Sequence, residues 1–362
     1  MSVKRSEMPK SPAAAAIVKC LSKITATGRR PADVFDDWLE LTEATLDMLP
    51  AHARSAAQTG RPAEDSPEVA EIWSRVRSHY GEAASRGWVF ERFAEAFGLL
   101  LQNAHEPDGR PTYQDIVGEI YMAWGWPSSG LGQYFTPWPV AQMMAQMMSG
   151  AEKDIHEHLK AAIEKSPVAQ ALAFAGIVLE GDEAFKWFVT RLVPACIEHY
   201  EPVKVCDPCV GSGIMLLAHA STMPAWMVQM GLVQYYGMDI DRTCVQMARI
   251  NCKLYGMNGW GLKCALELSE VELNSLPEPY RTAYAEAQAA QANGNPERVT
   301  EIATELRAGA FSQLSLFCEE PPSILDNGNG SKPHRPKRRS QRQQVESLTL
   351  PFEDERTHGR HA

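Results

Sequence analysis

The chain lacks any apolar run approaching the roughly 20 residues that a membrane-spanning helix needs. Its opening residues, Met1-Ser-Val-Lys-Arg-Ser-Glu-Met-Pro-Lys10, lack a secretory leader pattern, because the apolar stretch from Ala13 to Val18 is too short for one. Net positive charge is also lacking: the formal charge is −10, which excludes a wholly basic nucleic-acid surface. The eight cysteines are scattered rather than regularly spaced, as suits a reduced, cytoplasmic setting. Cys206-x-x-Cys209 has metal-ligand spacing, but it has no second such pair, and Cys206 falls within a predicted strand. We read it as structural, read His156-Glu-His158 as a solvated helix face, and expect no metal. What remains is 362 residues with an ordinary hydrophobic content of 44%, enough for two domains and a substantial core.

The most informative stretch is Lys204-Val-Cys-Asp-Pro-Cys-Val-Gly-Ser-Gly-Ile-Met-Leu-Leu-Ala218. A short β-branched run ends at Asp207-Pro208, passes Gly211-Ser-Gly213 and enters an apolar segment of helical period. That is a strand, a glycine turn and a helix start, the layout of a nucleotide-cofactor pocket at the carboxyl end of a parallel sheet. Glycine lets backbone approach a ligand closely, and a helix start offers free N–H groups. Downstream, Tyr236-Gly-Met-Asp-Ile-Asp241 reads as a second strand ending in an acid, Asp239, placed to accept from ribose hydroxyls. Asp239 follows Asp207 by 32 residues, against a usual spacing of about 20, with Met223-Pro-Ala-Trp226 as the surplus. Upstream lies Gly132-Gln-Tyr-Phe-Thr-Pro137, followed by an apolar helix through Val140, Met143, Met144 and Met147.

Together these segments resemble the adenine-N6 DNA methyltransferase family, in particular the methylation subunits of type I restriction-modification systems and related phage and plasmid proteins. Gly132-Gln-Tyr-Phe-Thr-Pro137 is similar to the family's amino-terminal cofactor motif, and Asp207-Pro-Cys-Val-Gly-Ser-Gly213 to its Asp-Pro-x-x-Gly-Ser-Gly motif. Tyr236-Gly-Met-Asp-Ile-Asp241 with Met247-Ala-Arg-Ile-Asn251 resembles the acidic strand and the helix after it; Asp115-Ile-Val-Gly-Glu-Ile-Tyr-Met122 resembles the helix before the first motif. The resemblance spans roughly residues 113–268 and implies S-adenosylmethionine as cofactor and DNA as substrate. It assigns Tyr134, Phe135, Thr136, Pro137, Asp207, Pro208, Gly211, Gly213, Asp239 and Ile240 to the cofactor. Thr136 and the adjacent backbone would hold the methionine end, Asp239 the ribose, and Asp207 the glycine loop or the cofactor's amino group.

One family motif is missing. The fourth strand should end in Asn- or Asp-Pro-Pro-Tyr/Phe, whose amide or carboxylate accepts from the adenine amino group and whose ring stacks on the flipped base. Asn295-Pro-Glu-Arg lacks the second proline and the aromatic, and Glu320-Pro-Pro-Ser323 lacks the amide and the ring. No catalytic residue is assigned, and whether the chain is an enzyme stays open. Gly261-Leu-Lys-Cys-Ala-Leu266 reads as a third strand, and no strand pattern follows it. The expected fold is therefore α/β: a Rossmann-like S-adenosylmethionine-dependent methyltransferase domain with a truncated sheet, beside an α-helical N-terminal domain. The first strand would then expose an edge, to be covered by residues 151–200, by the amino-terminal helices or by another protein.

The expected organisation runs as follows. Residues 1–30 read as disordered or weakly helical, 31–125 as a helical domain, and 126–268 as the cofactor domain with a helical insertion at 151–200. Residues 269–310 read as helical, with Asn295 as N-cap, Pro296 first in the helix and Gly309 after its end. Residues 311–362 read as a disordered tail. In it, Lys332, Arg335, Lys337, Arg338, Arg339 and Arg342 form either an arm that contacts DNA phosphates or a solubilising linker. Gln313-Leu-Ser-Leu-Phe317 resembles the pentapeptide by which bacterial proteins bind the replicative sliding clamp, with Gln313, Leu314, Leu316 and Phe317 as contacts; folding back on the body is the other reading. Three functions are thus in view. They are a DNA adenine-N6 methyltransferase-like protein of a restriction-modification or mobile-element system, a non-catalytic cofactor-binding relic acting through the clamp, and a subunit completed by a second polypeptide.

Overall fold

Ser11 and Pro12 open the first helix, α1 (Pro12–Ile24). The Ser11 hydroxyl accepts from the Ala14 N–H at 3.2 Å, and proline takes the position where no N–H is needed. Ala14, Ile17, Val18, Leu21 and Ile24 recur at three- and four-residue steps and are buried. Within the start read as disordered or weakly helical, residues 12–24 form this helix, which has both a cap and a partner helix. In the computed structural model the described residues are 9–124, 135–148, 150–269, 273–274, 276, 278 and 280–315, with the backbone alone at 260–261 and 307–315.

Five more helices complete the amino-terminal part: α2 (Pro31–Thr59), α3 (Pro67–Ser78), α4 (Gly81–Ser85), α5 (Trp88–Ala104) and α6 (Ile116–Ala123). Helix α1 packs on α5 and α6. Phe35, Trp38, Leu39 and Leu41 bury the inner face of α2. Buried Asp37 accepts from Arg29 Nη2 at 3.0 Å and Tyr80 Oη at 2.6 Å, and lies 2.8 Å from His79 Nδ1. One carboxylate thus ties α2 to the segments before it and after α3. Satisfying a buried charge this fully is the condition for tolerating it.

The chain divides into two compact units, residues 1–160 with 200–313 and residues 161–199 with 314–362. Before the divide comes α7 (Trp138–Met147), and α8 (Ala151–Lys165) runs through it. The smaller unit holds α9 (Pro167–Gly176), α10 (Gly181–Trp187), a π-helical turn at 188–192 and α11 (Val193–Cys196). Ser166 Oγ caps α9 through the Ala169 N–H at 3.2 Å and donates to the Ala195 carbonyl at 2.9 Å. Trp187 packs against Gly176, where a Cβ would meet the indole at 2.8 Å. Phe174, Ile177 and Val178 form an exposed apolar corner beside Glu180, Asp182 and Glu183.

The larger unit carries the sheet: β1 (Val203–Asp207), β2 (Val233–Asp239) and β3 (Asn258–Cys264), all parallel, in the order β1-β2-β3. The crossovers contain α12 (Ile214–Ala220) and α13 (Ala225–Gln229) after β1, and α14 (Arg242–Leu254) after β2. Helix α14 packs on β2, β3 and α2. Across the α14–α2 contact, Lys253 Nζ bonds Glu43 at 2.9 Å and Asp47 at 2.8 Å. Beyond β3 come α15 (Tyr280–Ala292) and α16 (Pro296–Ser315). Asn295 caps α16, its Oδ1 accepting from Arg298 N at 3.1 Å. The helix then runs through Gly309 to Ser315, correcting the expected end at Gly309, since an interior glycine weakens a helix by about 1 kcal/mol without stopping it.

Among the described residues β1 pairs with β2 alone. Val203 N–H donates to the Leu232 carbonyl at 3.1 Å, and strand backbone alternates, so Lys204 and Cys206 turn their amides to the open edge. Both residues are exposed.

Candidate functional site

The parallel register sets Asp207 beside Gly237, so the carboxyl ends of β1 and β2 lie together. There Val210 N–H donates to the Met238 carbonyl at 2.8 Å, which draws the loop after β1 across the end of β2. Gly211 and Gly213 both take positive φ, 51° and 89°, the backbone region where a side chain is strained. A Cβ on Gly211 would meet the Phe135 ring at 3.2 Å, and one on Gly213 would meet Ala248 Cα of α14 at 3.3 Å. These glycines therefore admit an aromatic ring and a helix to the loop, a use of small residues that the ligand-approach argument did not anticipate.

Two acids sit at the strand ends. Asp239 is buried; its Oδ2 accepts from the Gly211 N–H at 3.0 Å and its Oδ1 from the Asp241 N–H at 3.0 Å. Asp207 Oδ1 accepts from the Cys209 N–H at 3.0 Å. Burial, partly offset by that bond and reinforced by the nearby Asp239 charge, pushes the Asp207 carboxyl up to about 6. No cationic side chain among the described residues forms an ion pair with Asp207.

Polar groups on Asp115 and Asn251 fix the loop from behind. Ser212 is fully buried and donates to Asp115 Oδ2; Asn251 Nδ2 bonds both Asp115 Oδ1 and the Ser212 carbonyl at 2.8 Å. Gly118 N–H donates to Asp115 Oδ1 at 2.9 Å, so Asp115 also caps α6. A Cβ on Gly118 would lie 2.2 Å from the Asp115 carboxylate and 2.6 Å from Ser212 Oγ, which leaves room for glycine alone. Burial pushes the Asp115 carboxyl above its usual range against the pull of its three donors. Sequence reading touched Asp115, Gly118 and Asn251 as parts of helices but missed their meeting with Ser212, which no local spacing encodes.

The upstream motif arrives as a stacked pair. Phe135 lies on the Tyr121 ring at 5.6 Å with 19° between planes, and Tyr121 Oη reaches Asp241 at 3.4 Å. Pro137 starts α7, whose Ala141 and Ala145 pack on Ala218 of α12. Phe135, Pro137, Asp207, Pro208, Gly211, Gly213 and Asp239 are thereby gathered around the ends of β1 and β2. The Thr136 hydroxyl has no hydrogen-bond partner among the described residues. Ile240 instead faces α16 with Met238, Ala265 and Ala303.

Helix α15 closes the carboxyl end of the sheet. Tyr284, buried, donates from Oη to the Pro208 carbonyl, and Gln288 Nε2 donates to the carbonyls of Ala265 and Leu268 at 3.0 Å each. Cys209 Sγ lies 4.0 Å from Tyr284 Oη, so this cysteine is packing for α15. Of the tail residues, Gln313 and Leu314 carry helical backbone in α16. Tyr134, Leu316, Phe317, Lys332, Arg335, Lys337, Arg338, Arg339 and Arg342 lie outside the described residues.

No helix of the described residues is long and apolar enough to cross a membrane. No curated protein and no solved structure matches the chain. Residues 187–279 match the family model for N-6 DNA Methylase, a segment that contains β1, the glycine loop, β2, α14 and β3. A strand–glycine-turn–helix unit, an acid at the next strand end and this match fall on the same residues, and this segment is similar to the adenine-N6 DNA methyltransferase family.

Proposed function

We propose that the chain binds S-adenosylmethionine at the glycine loop and serves as the cofactor-binding part of a DNA adenine-N6 methylation system, of the restriction-modification or mobile-element kind. The observation that carries this reading is the pair of neighbouring carboxylates, Asp207 and Asp239, held at adjacent parallel strand ends by loop N–H groups. Such a pair suits a ligand that brings an ammonium and hydroxyl donors, since a cation beside Asp207 offsets the penalty that raises its carboxyl. The family's usual cofactor has that donor set and, when bound, supplies an electrophilic methyl group. Asp207 would hold the amino group, Thr136 with the adjacent backbone the methionine end, and Asp239 the ribose. The Phe135–Tyr121 stack would wall the loop against water.

The open edge of β1 favours a second polypeptide as the source of the adenine-binding residues. Lys204 and Cys206 turn backbone amides outward, with no partner strand among the described residues, where a further parallel strand would lie, and Tyr284 takes the space over Pro208. In this reading the chain holds the cofactor and a partner brings the base.

Two measurements test the reading. S-adenosylmethionine or its demethylated product at 100 times the dissociation constant should stabilise the folded protein by about 2.7 kcal/mol. For a unit of this size that is a rise in Tm of roughly 5–10 °C. The isolated chain should transfer no labelled methyl group to unmethylated duplex DNA. Folded protein that neither ligand stabilises would end the cofactor reading; N6-methyladenine formed by the chain alone would end the partner reading.

A further inference from the structure

Helix α9 is apolar on its outer side as well as its inner one. From Ser166 to Thr190 the charged residues are Glu180, Asp182, Glu183 and Lys186, all beyond the end of α9. Pro167, Ala171 and Phe174 recur at four- and three-residue steps and are exposed, and Ile177 and Val178 carry the same surface into the turn. Phe174, Ile177 and Val178 are 78%, 76% and 79% exposed, so nothing among the described residues covers them. A helix that is apolar all round belongs in an interior, and a contiguous exposed apolar surface marks an interaction site.

The acids beside this surface select its occupant. Glu180, Asp182 and Glu183 are exposed and form no ion pair among the described residues. The complementary pattern is a set of cations followed by spaced apolar side chains, and the chain itself carries one. Lys332, Arg335, Lys337, Arg338, Arg339 and Arg342 precede Leu348, Leu350 and Phe352, and Glu346 is the single acid within residues 332–352. Leu316 and Phe317 fit less well, because Glu319 and Glu320 beside them repeat the sign of the corner. A second exposed apolar face, on α7 at Met143 and Met147, has no charged residue from Trp138 to Gly150 and offers nothing to a basic run.

We propose that residues 332–352 dock on the outer face of α9. The cations lie against Glu180, Asp182 and Glu183, and Leu348, Leu350 and Phe352 cover Phe174, Ile177 and Val178. The carboxylates orient the segment, the apolar anchors hold it, and attachment within one chain makes the encounter intramolecular. This docking is independent of what binds at the glycine loop.

The test is photocrosslinking and limited trypsin digestion of the full chain. With p-benzoylphenylalanine in place of Phe174, irradiation of dilute protein should join position 174 to residues 345–352 of the same chain, read by mass spectrometry. Trypsin should cut the wild type after Arg338, Arg339 and Arg342 about tenfold more slowly than Ile177→Ser/Val178→Ser or Leu348→Ser/Phe352→Ser, as when about one molecule in ten is undocked. Glu180→Gln/Asp182→Asn/Glu183→Gln should lose most of that protection. The substituted α9 and α10 positions are exposed, so these variants keep the fold, which circular dichroism checks. Crosslinks between chains that rise with concentration would overturn the docking and assign the face to a second copy. Crosslinks that miss residues 332–352, or cleavage equally fast in wild type and variants, would overturn it outright.

Discussion

Asp207→Asn is expected to make the free protein more stable at pH 7.5 and to remove its stabilisation by S-adenosylmethionine. The Asp207 carboxyl is raised from 3.8 to about 6, so the folded state holds its proton where the unfolded chain has lost it. The contribution is therefore fully present below about pH 4 and is lost as pH rises through about 6. The shift corresponds to at most about 3 kcal/mol, and less for a side chain only half-buried. Asparagine mimics the protonated acid and keeps an oxygen for the Cys209 N–H, so its gain should appear above pH 6 and vanish near pH 4. Denaturant unfolding across that range checks the sign. In the wild type, cofactor affinity should also fall about tenfold per pH unit below 6, because the ionised carboxylate is the form that receives an ammonium. A variant no more stable than wild type at pH 7.5 would show that Asp207 is not strained in the free protein.

Asp115→Ala should be the most destabilising single substitution at the site, by about 3–5 kcal/mol. It strands the Ser212 hydroxyl, the Asn251 amide and the Gly118 N–H in a place where Ser212 is 0% and Asn251 1% exposed. It also removes the cap of α6, a loss of about 1 kcal/mol on its own. Relief of a carboxylate whose ionisation burial already disfavours reduces the total. Asp115→Asn keeps an oxygen for Gly118 and Asn251, and the Ser212 hydroxyl can turn to accept, so it should lose only about 1 kcal/mol. Equal losses in the two variants would mean that packing, not hydrogen bonding, is what Asp115 provides.

The contrast between these acids shows what was legible beforehand. Asp207, Gly211, Gly213 and Asp239 sit in short patterns whose spacing encodes a turn and two strand ends, and local backbone rules suffice to place them. Asp115, Ser212 and Asn251 are separated by up to 136 residues, and no periodicity links a buried carboxylate to its donors. Helix α1 was underrated because six small and branched residues look trivial until α5 covers them. Helix α15 reads from the sequence as plain Ala-rich helix, and only its docking turns Tyr284 and Gln288 into anchors. The glycine roles were half legible: positive φ follows from the turn, whereas the ring over Gly211 depends on a motif 76 residues earlier.

The edge of β1 has a consequence for amide protons. Within a five-residue strand, Val205 and Asp207 direct their N–H groups to β2, while Lys204 and Cys206 direct theirs outward. Exchange with deuterated solvent should therefore alternate along this strand, slow at every second residue and fast between. Any polypeptide that adds itself to the edge would erase the alternation by slowing Lys204 and Cys206 alone, a residue-level signature of strand completion that needs no knowledge of the partner's sequence.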